Sequence, residues 1–226
     1  REKIEREHGV NTVASATEAL PADTIILAVK PNVVAGVAKE LADAGIGEAR
    51  VVSIAAGVST GSLEAIFGEN TQVVRVMPNT PLIVGQGMSA ISGGAQATPE
   101  TLEKVRALFA SMGGAVIVPE DQQDAVTAVS GSGPAYFELF CQQMAKTGAD
   151  LGLDADVARQ LALQTMYGTA KLVIETDQDL DAAIEAVSSP GGTTIAALDA
   201  MREGKLPEAI DAGVRAAAKR SAELGE

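Results

Sequence analysis

The chain has 226 residues, a formal net charge of −13, one cysteine, one histidine and no tryptophan. An acidic chain without clustered Lys and Arg lacks the electrostatic footprint of a nucleic-acid binder, and 3% aromatic residues do not make a base-stacking platform. Cys141 has no second cysteine for an internal disulfide, and His8 with Cys141 gives neither a zinc ligand set nor a Ser-His-Asp relay. No metal site is expected, a reducing cytoplasm is the expected compartment, and any reactive group is expected to come from a cofactor.

No apolar run approaches the ~18–20 residues that span a bilayer. The chain opens on a charged stretch, Glu2 to His8, that reads as a solvated helix face. From Ala22 to Val118 strand and helix signals then alternate. Thr24–Val29 is a short apolar β-branched run closed by Lys30-Pro31, and Val33–Ala44 has helical spacing. Ala49–Ala55 is a second strand, followed by Gly57 and a helix over Gly61–Phe67 that Ser59 or Thr60 begins. Val73–Met77 is a third strand, stopped by Pro78. Met88–Ser92 and Ala115–Val118 are further strands with a helix, Pro99–Met112, between them. The strands are apolar throughout rather than alternating, so both sheet faces are expected to be covered, in a parallel, doubly wound α/β arrangement.

After Glu120 the strand-like runs cease. Helical spacing continues through Asp121–Leu151, Ala155–Glu175, Leu180–Val187, Thr193–Glu203 and Leu206–Leu224. The fold class is therefore α/β followed by all-α. The helices carry many small residues on their apolar faces, which suits a dimer surface; packing within one chain is the alternative.

Four stretches carry candidate chemistry, each with a plain structural alternative. Ala28-Val29-Lys30-Pro31 follows the first strand, at the carboxyl edge where open α/β sheets bind ligands. Lys30 there could meet a cofactor phosphate or ribose, or simply face solvent. Ser53 to Gly57 offers small residues that let a ring or ribose approach the backbone, or that pack a helix tightly on a strand. In Arg75–Pro81 two prolines bracket Asn79 and Thr80 and stiffen a loop just beyond a strand, where an amide could orient a nicotinamide. In Ser188-Ser189-Pro190-Gly191-Gly192-Thr193-Thr194, Gly191 and Gly192 can expose consecutive N–H groups at a helix start, a nest suited to a carboxylate, with the Thr194 hydroxyl beside it. Ordinary N-capping is the alternative there. Ser130-Gly131-Ser132-Gly133-Pro134 lacks the third glycine of a phosphate loop, having Tyr136 in its place, and reads as a flexible break in a helical segment.

Taken together, AVKP (28–31), SIAAGV (53–58), RVMPNTP (75–81), DAVTAVSGSGPAYF (124–137) and SSPGGTT (188–194) resemble the pyrroline-5-carboxylate reductases in order and approximate spacing. The resemblance covers nearly the whole chain, and SSPGGTT after SGSGPAY is its most specific part. It implies reduction of L-1-pyrroline-5-carboxylate to L-proline, the last step of proline biosynthesis, with NADPH or NADH. It also implies an NAD(P)-binding Rossmann-type domain over 1–119, and a helical substrate-binding and dimerisation domain over 120–226 that pairs with a second copy, possible larger homo-oligomers included. By match to the family's motifs, Ala28, Val29, Lys30, Pro31, Ile54, Ala55, Ala56, Pro78 and Asn79 would line the cofactor. Ser15 falls where the family often has an Asn near the adenosine, and Glu120 at a position implicated in cofactor contact in some members. Ser189, Gly191, Gly192, Thr193 and Thr194 would grip the substrate, with Thr194 as the catalytic hydroxyl at the ring nitrogen.

The resemblance also implies departures. Members begin with a strand and a GxGxxG-like loop, and this sequence starts near the helix that follows the second strand. Roughly 40 residues, a βα unit and more, are expected to be absent from it. Asp179-Leu180 stands where members commonly have His-Pro. Two rival readings remain. A β-hydroxyacid dehydrogenase would use a helical lysine, for which only Lys146 and Lys171 are interior candidates. A non-catalytic helical dimerisation module would retain a degenerate cofactor fold.

Overall fold

The computed structural model describes residues 1–225. They form two compact units, one of residues 1–131 with the last turns of the chain from Ala217 onward, the other of Ser132–Ala216.

The first unit contains α1 (Glu2–His8), β1 (Thr24–Leu27), α2 (Pro31–Ala44), β2 (Arg50–Ser53), α3 (Thr60–Phe67), β3 (Val73–Met77), β4 (Gly87–Gly93), α4 (Pro99–Ala110), β5 (Gly113–Ile117) and α5 (Gln123–Val126), the last continued by a π-helical turn over Thr127–Gly131. Local chemistry sets the helix starts. Pro31 and Pro99 occupy first-turn positions where an N–H is not needed, and the Ser59 and Thr98 hydroxyls accept the N–H groups of Ser62 and Thr101. Residues of α1 are all exposed, in keeping with the charged face read from its sequence.

The strands lie in the order β1-β2-β3-β4-β5. β1, β2 and β3 are mutually parallel, and β4 pairs with β5 in parallel. The expected all-parallel sheet needs one correction, because β4 runs antiparallel to β3. The reason is the connection. A parallel return needs a crossover of a dozen residues or more, whereas Met77 and Gly87 are joined by a short segment holding one 3₁₀ turn, Thr80–Val84. β4 and β5, by contrast, are joined through α4 and run the same way.

Both faces of the sheet are covered, and alternate residues of one strand show it. Val51 and Val73 pack with Val34, Ala38 and Leu41 of α2 and Leu63 of α3. Val52 and Val74 pack on the other side with Val105 and Phe109 of α4. This explains the continuous valine runs. In a strand, neighbours point to opposite faces, and here each face is a core.

The segment Glu120–Gly131 belongs with the sheet and is not the start of one long helix. The expected helix over Asp121–Leu151 is broken into a 3₁₀ turn, α5, the π-helical turn and a new helix from Gly133. Gln123 is the reason it stays on the sheet. It is fully buried, and its Nε2 donates to the Ala90 carbonyl at 3.3 Å and to Ser92 Oγ at 2.7 Å. The last turns of the chain return to the same place, where Ser221 Oγ donates to Asp124 at 2.7 Å. They also cover the turn after β2. Gly57 has φ +76°, and a Cβ there would lie 3.0 Å from the Leu224 carbonyl oxygen, so both conformation and space require glycine.

The second unit contains α6 (Gly133–Asp150), α7 (Ala155–Thr176), α8 (Leu180–Ala186), α9 (Thr193–Glu203) and the first part of α10 (Leu206–Gly225). α6 and α7 pack as a hairpin around Cys141, Ala158 and Ala162, and Gly148 lets Ala158 approach closely. Asp154 and Asp179 cap α7 and α8, each accepting two backbone N–H groups. Asp179-Leu180, the departure from the family's His-Pro, is thus a cap and the first helical residue. α8 and α9 bury no residue within the chain. Among the described residues, no helix is long and apolar enough to cross a membrane, and no cluster of His, Cys, Asp and Glu could hold a metal ion.

Candidate functional site

Three of the predicted stretches fall in one row. Because β1, β2 and β3 are parallel and in register, with Leu27 opposite Ser53 and Ser53 opposite Arg75, the residues that follow them leave the sheet at a single edge. These are Ala28–Pro31, Ile54–Ala56 and Pro78–Asn79. With strands about 4.8 Å apart, the row is about 10 Å across, the width of a nucleoside half.

Ala28, Val29, Lys30 and Pro31 are all exposed, and Lys30 is the N-cap residue of α2 without a side-chain cap bond. An exposed lysine at the positive end of a helix is a combination that suits phosphate. Ile54 and Ala56 are half-buried. Ala55 points into the core at 5% exposure, so only its backbone can face a ligand. Its N–H meets the Ser53 hydroxyl at 3.3 Å. Ser15 caps the 3₁₀ turn Ala16–Ala19, accepting the Thr17 N–H at 3.3 Å and sharing a 2.9 Å bond with the Thr17 hydroxyl.

Asn79 is half-buried, and its amide is engaged at both ends. Oδ1 accepts the Met88 N–H at 2.8 Å, while Nδ2 donates to the Ser130 carbonyl at 3.2 Å and to Ser130 Oγ at 3.3 Å. The Ser130–Pro134 stretch, read from sequence as a flexible break, is thus no loose loop: Ser130 and Gly131 close a π-helical turn tied to the end of β3, and Gly133 and Pro134 open the next helix.

Two polar residues near this edge lay outside the sequence reading or at its margin. Glu120 accepts the Thr60 N–H at 2.8 Å and also the Thr60 hydroxyl, and its carboxylate stands 3.5 Å from the Arg75 guanidinium. Arg75, at 7% exposure, is the one buried cation of β3. Gln123, within the run Glu120-Asp121-Gln122-Gln123-Asp124, gives no sequence signal to separate it from a surface glutamine.

In the second unit, Ser189 to Thr194 forms a turn that leads into α9. The Gly192 N–H donates to the Ser189 carbonyl at 2.9 Å across Pro190 and Gly191, with Gly191 at φ +71°. Proline then a positive-φ glycine is the signature of a type II turn. This corrects one expectation. Gly192 does not offer its N–H to a ligand, because the turn uses it. The Gly191, Thr193 and Thr194 N–H groups have no partner among the described residues. Gly192 is instead the N-cap residue, and neither threonine hydroxyl caps the helix. The capping alternative is therefore not realised. Three open N–H groups and the half-buried Thr194 hydroxyl lie at this helix start, donors of the kind a small carboxylate can use.

Known proteins match this arrangement across the chain. The family model described as pyrroline-5-carboxylate reductase dimerisation matches residues 120–224, and the one described as NADP oxidoreductase coenzyme F420-dependent matches residues 1–57. The pyrroline-5-carboxylate reductase of Synechocystis is 44% identical over 204 residues, covering 90% of this chain and 76% of the relative. That of Pseudomonas aeruginosa is 40% identical over 228 residues, covering 100% of this chain and 84% of the relative. Among solved structures, the Coxiella burnetii pyrroline-5-carboxylate reductase superimposes with a TM-score of 0.93 at 33% identity, covering 100% of this chain and 84% of that one. The Plasmodium falciparum enzyme, with NADP bound, gives 0.87 at 30% identity, covering 96% and 83%. Identity at this level over most of both chains, with the dimerisation-domain match, leaves one assignment: the chain belongs to the pyrroline-5-carboxylate reductase family.

Proposed function

We propose that this protein is an NAD(P)H-dependent oxidoreductase that reduces L-1-pyrroline-5-carboxylate to L-proline, the closing step of proline biosynthesis. The observation that carries the substrate assignment is the Ser189–Thr194 turn, which leaves N–H groups and a hydroxyl open at the start of α9.

The residues at the sheet edge fit a nicotinamide dinucleotide. An exposed lysine stands at a helix N-terminus, small side chains follow β2, and Pro78 and the backbone of Asn79 follow β3. When bound, NAD(P)H supplies the hydride for the electrophilic C=N carbon. Lys30 is assigned to phosphate or ribose, Ala28, Val29 and Pro31 to the wall beside it, and Ile54 to Ala56 to the adjoining strand end. Ser15 is assigned to the adenosine side, through backbone more than through a hydroxyl already engaged with Thr17. No GxGxxG stretch occurs in the 226 residues, so the pyrophosphate contact is not assigned to any of them.

For the substrate, the Gly191, Thr193 and Thr194 N–H groups hold the carboxylate, Ser189 and Gly192 set the turn that aims them, and Thr194 Oγ hydrogen-bonds the ring nitrogen. The ring nitrogen takes the proton that completes the reduction from solvent; a threonine hydroxyl is a poor acid, so its part is to orient the imine rather than to protonate it. Most of the acceleration then comes from holding the reacting carbon at near-attack distance. The β-hydroxyacid dehydrogenase alternative is disfavoured by its lysines. Lys146 and Lys171 are both exposed, and Lys171 pairs with Glu175 at 3.5 Å on an open helix face.

The working form is a cytoplasmic homodimer. Exposed apolar side chains on α6 and α7, among them Phe137, Leu139, Phe140, Leu161 and Leu172, and the absence of buried residues in α8 and α9, support burial against a second copy. Thr194→Ala tests the site. Activity is expected to fall by about 10²-fold or more with the oligomeric state unchanged, whereas wild-type rates in the variant would refute the role of Thr194.

A further inference from the structure

Asn79 is the polar residue of the β3–β4 connection, and every hydrogen-bonding atom of its amide is engaged within the protein. Its orientation admits no flip. Oδ1 faces the Met88 N–H, which only donates, and Nδ2 faces the Ser130 carbonyl, which only accepts. One side chain thus joins three pieces of backbone, namely the end of β3, the start of β4 and the π-helical turn Thr127–Gly131. A π-helical turn is a rare and costly conformation that persists where its surroundings over-determine it, often at functional sites. Here the other tie is Gln123, whose carbonyl accepts the Thr127 hydroxyl at 2.8 Å while its own amide grips β4. The turn is therefore held at both ends, by Gln123 from within the sheet face and by Asn79 from the cofactor edge.

We infer that Asn79 is a positioning residue and not a side-chain ligand of the cofactor. It acts through Ser130, fixing the π-helical turn at the carboxyl end of β3 so that the surface presented to the nicotinamide is rigid. This rests on the cofactor reading above. Both Nδ2 donors of Asn79 are spent on Ser130 and Oδ1 already accepts from Met88, so the amide has no free donor for a carboxamide and its orientation is set by the protein. Half-burial keeps water from competing for these bonds.

Asn79→Asp tests it, because the acid is isosteric and keeps the acceptor for Met88 while setting a carboxylate oxygen against the Ser130 carbonyl, with only the Ser130 hydroxyl able to turn and donate to it. Ser130→Ala is the second variant, which loses the hydroxyl and keeps the carbonyl. In the ligand-free protein, amide exchange across residues 127–131 is expected to be at least about tenfold faster in Asn79→Asp, with β2 and β3 amides unchanged. In turnover, kcat is expected to fall about tenfold or more, with KM for pyrroline-5-carboxylate within about threefold. Ser130→Ala combined with Asn79→Asp is expected to lower kcat by clearly less than the product of the two single effects, since both act on one tie. Unchanged exchange at 127–131 would overturn the inference, and so would full multiplication of the two kcat effects. If neither wild type nor variant reduces pyrroline-5-carboxylate, the functional assignment fails. Exchange, read without any ligand, still decides whether Asn79 holds the turn.

Discussion

The fully buried amide of Gln123 donates to Ser92 Oγ at 2.7 Å, and the Ser92 hydroxyl in turn donates to the Val118 carbonyl at 2.8 Å. This relay ties the segment after β5 to the middle of β4, and it holds α5 on the face of the sheet that carries Arg75. Gln123→Ala removes both donors and leaves a cavity, so a loss of about 2–4 kcal/mol in urea unfolding is expected. Gln123→Leu fills the volume and deletes the buried Oε1, which has no partner among the described residues, so a smaller loss is expected. Equal stability of all three proteins would show that the relay contributes nothing.

Glu120 joins Thr60 to Arg75. Its two bonds to Thr60 fix the start of α3, and its charge faces a guanidinium that is almost out of water. A 3.5 Å separation makes the ion pair the weaker part, so the Thr60 bonds dominate. Glu120→Gln keeps an acceptor for Thr60 and loses the charge; a cost near 1 kcal/mol is expected, against about 2–4 kcal/mol for Glu120→Ala, which also strands Arg75. Denaturant midpoints check the order, and a Gln variant as unstable as the Ala variant would transfer the weight to the ion pair.

Gly191 sits at φ +71° in the turn before α9, with no heavy atom within 4 Å of where a Cβ would stand. The penalty for Gly191→Ala is therefore conformational alone, about 1 kcal/mol. Its functional cost is expected to be larger than its stability cost. Relaxing the turn re-aims the Thr193 and Thr194 N–H groups, and KM for pyrroline-5-carboxylate is expected to rise about tenfold or more, with the KM for NADPH little changed. A rise confined to NADPH would place this turn on the wrong ligand.

Lys30 is exposed at the start of α2 and pairs with no acidic side chain among the described residues. Lys30→Met keeps the aliphatic stem and removes the charge, and an increase of about tenfold in the NADPH KM is expected, diminishing as salt is raised. An unchanged KM at low ionic strength would return Lys30 to the role of a solvent-facing lysine.

The strands and most helices were legible because burial on two faces writes itself as valine runs, and helix starts carry Ser, Thr or Pro. Strand direction was not legible. Met88–Ser92 looks the same in either sense, and only the length of the link from Met77 decides it. The site was legible in part. Lys30, Pro78 and the Ser189–Thr194 turn stand out by residue type, whereas the use of the Gly192 N–H inside the turn, the engagement of Asn79 with Ser130 and the burial of Gln123 depend on contacts between residues far apart in sequence. The run of acids and glutamines around Gln123 reads as surface, because nothing in composition marks which one residue of the run turns inward.

The most direct measurement of the proposed reaction incubates the protein, expressed from its own full reading frame, with L-1-pyrroline-5-carboxylate and NADPH, following both NADPH oxidation and proline. Proline is expected in equal amount to the NADPH oxidised, with the rate collapsing in Thr194→Ala while the variant remains folded and assembled. NADPH oxidation without proline, or proline formed as fast by Thr194→Ala as by the wild type, would contradict the proposed reaction.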